Sequence, residues 1–328
     1  MSGRRHVDVA SLVDAARAGS PRAVARLVSM VEDAGPALRE VSAALAPHTG
    51  HAHVIGLTGS PGVGKSTSTN ALVSAFRAQN RRVGVLAVDP SSPFSGGALL
   101  GDRVRMEQHA TDPGVFIRSM ASRGHLGGLS WGTPQAIRVL DGAGCDVILV
   151  ETVGVGQAEI EIASLADTTL VLLAPGMGDG IQAAKAGILE IADVYVVNKA
   201  DRDGATSTVR DLQGMLGLAG QYGPAGEHDV DRWRPPIVKT VAARNEGVDD
   251  VLAAIDAHRA WLERTDGLRA RRRERAAREV EAIAVAALRA RIGELRGGAA
   301  LDVLADQVAT GKLDPFAAAD VLLAETAD

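Results

Sequence analysis

Apolar runs alternate along the middle of the chain with stretches of helical spacing. Val54-Ile55-Gly56-Leu57-Thr58, Val83 to Val88, Val115-Phe116-Ile117, Val147 to Val150, Thr169 to Leu173, Val194 to Val197 and Ile237-Val238 each read as a strand. Runs without a polar face belong to strands buried on both sides, which predicts a parallel sheet covered by helices. Strands and helices taking turns predict a doubly wound, mostly parallel α/β domain with its ligand at the carboxyl ends of the strands.

The flanks are helical. In residues 7–46, Val9, Leu12, Val13 and Ala16 share one face, Pro21 starts a second helix, and Pro36 starts a third carrying Leu38, Val41 and Leu45. Pro47 to Gly50 reads as the boundary. The polar stretch Gln221 to Pro236 reads as a long loop, and helices resume near Val248. A long helix is expected from Leu268 past Leu295, striped by Val280, Ile283, Ala284, Ala287, Leu288 and Ile292 and ended by Gly297-Gly298. Two shorter helices follow, the second from near Pro315. The stripe fits a dimer seam or packing on its own domain. The expected division is a helical extension over 1–47, a nucleotide domain over 48–262 and a helical region over 263–328.

Composition narrows the class. With 46% hydrophobic and 23% charged residues the chain fits an ordinary globular protein. A net charge of -5 and only 3% aromatics argue against nucleic acid as a partner. The basic run Arg269 to Arg278 is interleaved with glutamate and reads as a solvated helix face. One cysteine, Cys145, set in an apolar strand-like run, excludes an internal disulfide framework. With no signal-peptide core and no spanning apolar run, the reading is cytoplasmic, away from membranes. His48, His51 and His53 precede the first strand. They read as a surface linker, since no cysteine or carboxylate cluster nearby supports a metal site.

The chemistry starts at Gly59-Ser60-Pro61-Gly62-Val63-Gly64-Lys65-Ser66-Thr67. This is the G-x-x-x-x-G-K-[ST] pattern, between a predicted strand and a predicted helix. Its glycines let several N–H groups face one phosphate, and the helix N-terminus adds positive potential. Lys65 can reach the β- and γ-phosphates, and Ser66 can offer its hydroxyl to Mg²⁺. Asn198-Lys199-Ala200-Asp201 follows a strand and fits N-K-x-D. The Asp201 carboxylate can accept from the two donors on the guanine edge, and adenine has no such pair, so GTP is expected over ATP. Asp89, Asp102 and Glu151 are the carboxylates expected near Mg²⁺ and, with Lys65, the catalytic candidates. Glu151-Thr152-Val153-Gly154 stands where many GTPases have D-x-x-G, with the Gly154 N–H for the γ-phosphate. Val155 follows in place of a water-orienting glutamine, and Gln157 comes later. Slow intrinsic hydrolysis, sped up by a partner, is the expectation.

Together these residues resemble the methylmalonyl-CoA mutase-associated GTPase chaperones, the MeaB/ArgK family. The matching blocks are GLTGSPGVGKST, VLAVDPSSPFSGGALLGDRVRM, FIRSMASRGHLGG, ILVETVGVGQAE, GDGIQAAKAGILEIADVYVVNKAD and VKTVAARNEGV. The resemblance implies a P-loop GTPase fold with a helical lead-in and a helical dimerisation tail. It places Asp89 and Asp102 in a first switch and Glu151 to Gln157 in a second. Gly176 to Gly187, with Gln182 and Lys185, would form a third switch facing the mutase. Asn198, Lys199 and Asp201 would read guanine, and Thr240-Val241-Ala242 would offer backbone to it. Ser60 and Gly180 depart from the family's usual residues. The implied activity is GTP hydrolysis that gates adenosylcobalamin loading of an acyl-CoA mutase and protects or reactivates it, by a homodimer that need not touch cobalamin. Rival readings are a P-loop kinase, a nickel-type metallochaperone GTPase and a scaffold that binds GTP without hydrolysing it. No acceptor site and no Cys/His cluster supports the first two.

Overall fold

β1, His53–Thr58, is buried along its whole length and leads into the phosphate loop. A computed structural model describes residues 8–32, 37–90, 107–109, 111–122, 132–152, 158–176, 190–218, 232–296 and 299–324. The chain separates into two compact units, Met1–Leu268 and Arg269–Asp328.

In the first unit, helices α1 (Val9–Arg17), α2 (Pro21–Glu32) and α3 (Ala37–Leu45) precede β1. Then come α4 (Lys65–Ala78), β2 (Val83–Pro90), β3 (Val115–Ser122), α5 (Gly132–Gly142) and β4 (Val147–Thr152). They are followed by α6 (Ala158–Leu165), β5 (Thr168–Leu173), β6 (Val194–Val197), α7 (Ala205–Leu218), β7 (Ile237–Lys239) and α8 (Val248–Arg264). Among the described residues the strands form one sheet in the order β3-β2-β4-β1-β5-β6-β7, every pair parallel. The chain leaves β1 toward β2 on one side and later crosses to β5 on the other. The loop after β1 therefore opens at the topological switch point, where α/β sheets take their ligands.

The apolar strands fill two layers by alternation. Val54, Leu86, Val88, Ile148 and Val150 face the layer that holds α1 to α3 and α5. Ile55, Leu57, Val83, Val85, Val147, Leu149, Leu170 and Leu172 face the layer of α4 and α8. The N-terminal helices share the first layer outright. Leu27, Val28, Val41 and Leu45 are fully or almost fully buried in the same cluster as Leu140 and Ile148. Arg118 of β3 ties them further, donating to Ser29 and Glu32 of α2.

Two readings made from the sequence change. Cys145 is not in a strand. It lies in the turn after α5, two residues before β4, where burial pushes its thiol up to about 12. His53 is not a surface linker residue. It opens β1 at 1% exposure, and its Nε2 lies 2.9 Å from Thr168 Oγ1. That hydroxyl is also 2.9 Å from Nδ1 of the fully buried His258 on α8. His258 Nε2 is 3.2 Å from Asp193 Oδ1, Trp261 stacks on the ring, and Trp233 packs against it at a tilt. Among the described residues no group of three His, Cys, Asp or Glu side chains is arranged to hold a metal.

In the second unit α9 (Gly267–Arg296) is followed by α10 (Ala299–Ala309) and α11 (Pro315–Ala324). The striped face of α9 is exposed where its side chains are described, with Val280 at 66%, Ile283 at 43% and Leu288 at 54%. The Ile292 side chain and Gly297-Gly298 lie outside the described residues. No helix among the described residues is long and apolar enough to cross a membrane.

Candidate functional site

The loop from Gly59 to Thr67 turns on three glycines with positive φ, at 141° for Gly59, 80° for Gly62 and 95° for Gly64. Two of them are also fixed by neighbours. A Cβ on Gly59 would lie 2.3 Å from the Leu172 carbonyl oxygen, and one on Gly64 would lie 2.5 Å from Asn198 Nδ2. Between them, fully buried Val63 pins the loop into the core. Ser60 is half-buried and Pro61 and Thr67 are exposed around the loop mouth. Lys65 opens α4, and its Nζ donates to the carbonyls of Gly59 (2.6 Å) and Ser60 (3.1 Å). The ammonium is thus held across the cradle that the loop's N–H groups would offer to an anion.

Behind Lys65, Ser66 donates to Glu151 Oε1 at 2.6 Å. Glu151 is 3% exposed and lies inside β4, opposite Leu57 on one side and Ala87 on the other. It does not end the strand, which continues through Thr152. Thr69, which the sequence motifs did not single out, donates to Glu151 Oε2 at 2.8 Å. A hydroxyl beside a carboxylate is a pair of hard oxygen donors, the kind Mg²⁺ takes together with phosphate oxygens. Asp89 lies near the carboxyl end of β2, two residues beyond Ala87, the position opposite Glu151. Its side chain lies outside the described residues, as do Asp102, Gly154, Gln157, Gln182 and Lys185.

The N-K-x-D segment leaves the end of β6 and closes onto the same loop. Asn198 is 3% exposed; its Nδ2 donates to the Val63 carbonyl at 2.9 Å, and its Oδ1 accepts from Thr240 Oγ1 at 3.2 Å and Ala242 N–H at 3.1 Å. One side-chain amide therefore joins three segments. Lys199, at φ 58°, extends its Nζ to the Gly62 carbonyl at 2.6 Å. Thr240 donates its N–H to Val197 and accepts from Ala200 N–H, and Val241 bridges to Glu246. Asp201 is exposed, with Arg244 Nη2 3.6 Å from its carboxylate. Arg244 was not foreseen, because nothing in its spacing marks it.

The phosphate-loop segment and the N-K-x-D segment thus form one connected site. A family model described as methylmalonyl Co-A mutase-associated GTPase MeaB matches residues 24–295. The chain belongs to this family. It is a GTPase, like the relatives it matches. A Pyrococcus abyssi protein provisionally named a GTPase is 45% identical to this MeaB-family chain, covering 96% of it and 95% of its own length. The mouse mitochondrial methylmalonic aciduria type A homolog is 39% identical over 60% of this chain and 46% of its own. The crystal structure of a LAO/AO transport system kinase superposes over the full length of both chains at a TM-score of 0.70 and 25% identity. The P-loop GTPase fold of the MeaB-family chain agrees with that structure.

Proposed function

We propose that this GTPase is the chaperone of an adenosylcobalamin-dependent acyl-CoA mutase, methylmalonyl-CoA mutase before others. It would gate cofactor loading and protect or reactivate the mutase. The observation that carries this reading is the match to a family of mutase-associated GTPases over most of the chain. The name of the mouse relative, which refers to methylmalonic aciduria, agrees with it.

In this reading the N–H groups of Gly59 to Thr67 and the start of α4 hold the phosphates. Lys65 exchanges the Gly59 and Ser60 carbonyls for β- and γ-phosphate oxygens. Ser66 and Glu151 would hold Mg²⁺, with Asp89 and Asp102 as further carboxylates. When bound, the ion neutralises charge that gathers on the phosphate oxygens. Asp201 accepts from the guanine edge, Lys199 lies along the base, and Thr240, Val241 and Ala242 offer it backbone groups. Gly154 gives its N–H to the γ-phosphate within a switch that includes Gln157. Gln182 and Lys185 belong to a third switch that faces the mutase. Loss of the γ-phosphate relaxes these loops, and the partner reads that change. The apolar stripe of α9 forms a homodimer. No contact with cobalamin is required.

The test is GTP hydrolysis by the protein alone and with a purified methylmalonyl-CoA mutase, with ATP as control. Strong stimulation by the mutase with ATP inert supports the reading. Tight GTP binding without stimulation sends the search to other acyl-CoA mutases. Phosphate that appears on an acceptor and not in solution points to a kinase.

A further inference from the structure

Each carboxylate oxygen of Glu151 receives a hydroxyl, Ser66 on Oε1 and Thr69 on Oε2. Ser66 belongs to the phosphate-loop pattern and Thr69 does not. Thr69 lies one turn along α4 and is fully buried. Its Oγ1 is 2.8 Å from Glu151 Oε2 and 3.1 Å from the Lys65 carbonyl. A hydroxyl has one proton, and an ionised carboxylate at the shorter distance is the stronger acceptor. A helical threonine divides between two χ1 rotamers, and the one adopted here sets Oγ1 against both the Lys65 carbonyl and Glu151 Oε2. We infer that Thr69 is a positioning residue for Glu151. By fixing Oε2, it keeps Oε1 turned toward Ser66 and so sets how tightly the site takes a divalent cation beside the nucleotide. This inference rests on the guanine-nucleotide reading above.

Thr69→Val keeps the shape and removes the hydroxyl, leaving a buried carboxylate oxygen without that donor. Groups that orient a metal ligand typically change metal affinity about 10-fold to 100-fold. The experiment titrates Mg²⁺ against retention of a fluorescent GDP analogue, by wild type, Thr69→Val, Thr69→Ser and Glu151→Gln. The expected result is a Mg²⁺ midpoint about tenfold or more higher for Thr69→Val, with GDP affinity in excess EDTA unchanged. Thr69→Ser should return to within about threefold of wild type. In the Glu151→Gln background the Thr69→Val effect should vanish, because the two residues act as a unit. An unchanged midpoint in folded Thr69→Val, or an equal and additive effect in the Glu151→Gln background, overturns the inference. If Thr69→Val does not fold, Thr69→Ala with Thr69→Ser as its rescue gives the same comparison. Wild-type protein that binds no guanine nucleotide would overturn the nucleotide reading, and this inference with it, a result distinct from a shift confined to Thr69 variants.

Discussion

At Gly64 a methyl group would meet both a left-handed φ and the Asn198 amide 2.5 Å away. Gly64→Ala should therefore displace Asn198 from the Val63 carbonyl as well as deform the loop. The expected loss of GDP affinity is about tenfold or more, since strain at such a position is worth on the order of 1–3 kcal/mol. Isothermal titration against wild type checks it. In the proposed reading Asp201 acts differently, through donor matching. Asp201→Ala should weaken GTP by roughly tenfold to a hundredfold and leave ATP unchanged, in line with about 1–3 kcal/mol for partners left unpaired. Competition with a fluorescent nucleotide reads both. Cys145 has its thiol pushed up to about 12 by burial, so the reactive thiolate is suppressed at neutral pH. It should resist a thiol reagent at pH 8 in the native protein and react fully in denaturant.

Elements behave as the packing dictates. Leu27 on α2 is fully buried in the cluster that holds Leu140 and Ile148. Leu27→Ala should destabilise the first unit by about 2–5 kcal/mol. Urea unfolding should show one transition that includes the N-terminal helices and the sheet. Arg77 at the end of α4 pairs through two nitrogens with Asp112, just before β3, and Gly114 N–H adds a third bond to that carboxylate. The Arg77 hydrogen bond, ahead of the other contacts, holds the Asp112 carboxyl below its ordinary value. Its stabilisation is present above the unfolded carboxylate pKa of about 3.9 and is lost as pH falls through the lower, folded value. Asp112→Asn should therefore flatten the acid limb of the stability profile below about pH 4, measured by thermal melts. Strand and helix identities were legible because the runs from Val54 to Val197 are apolar on both faces and α1 to α3 keep a 3.6-residue period. The phosphate-loop and N-K-x-D segments were legible from their glycine, lysine and aspartate spacings, and the structure brings the two together through Asn198 and Lys199. Thr69, Arg244 and the His53–Thr168–His258 contacts were not. Each depends on a partner 40 or more residues away, and a threonine four residues past a lysine looks like any helical threonine.

At the scale of the molecule, Val280, Ile283 and Leu288 form an exposed apolar set on α9, and Val303 of α10 and Phe316 of α11 are exposed as well. Ile283→Asp and Leu288→Asp should convert the proposed homodimer to monomer, read by light scattering, without changing GDP affinity. The helical lead-in carries a different consequence. Leu45 lies so close to α5 that a methyl group on Gly142 would fall 2.6 Å from its Cδ2. A truncation beginning at residue 48, drawn at the apparent border of the nucleotide domain, would strip the cover from Ile137, Leu140 and Ile148 and bare an oily face. Such a fragment would be lost to inclusion bodies, so expression trials should retain α1 to α3 as part of the catalytic body.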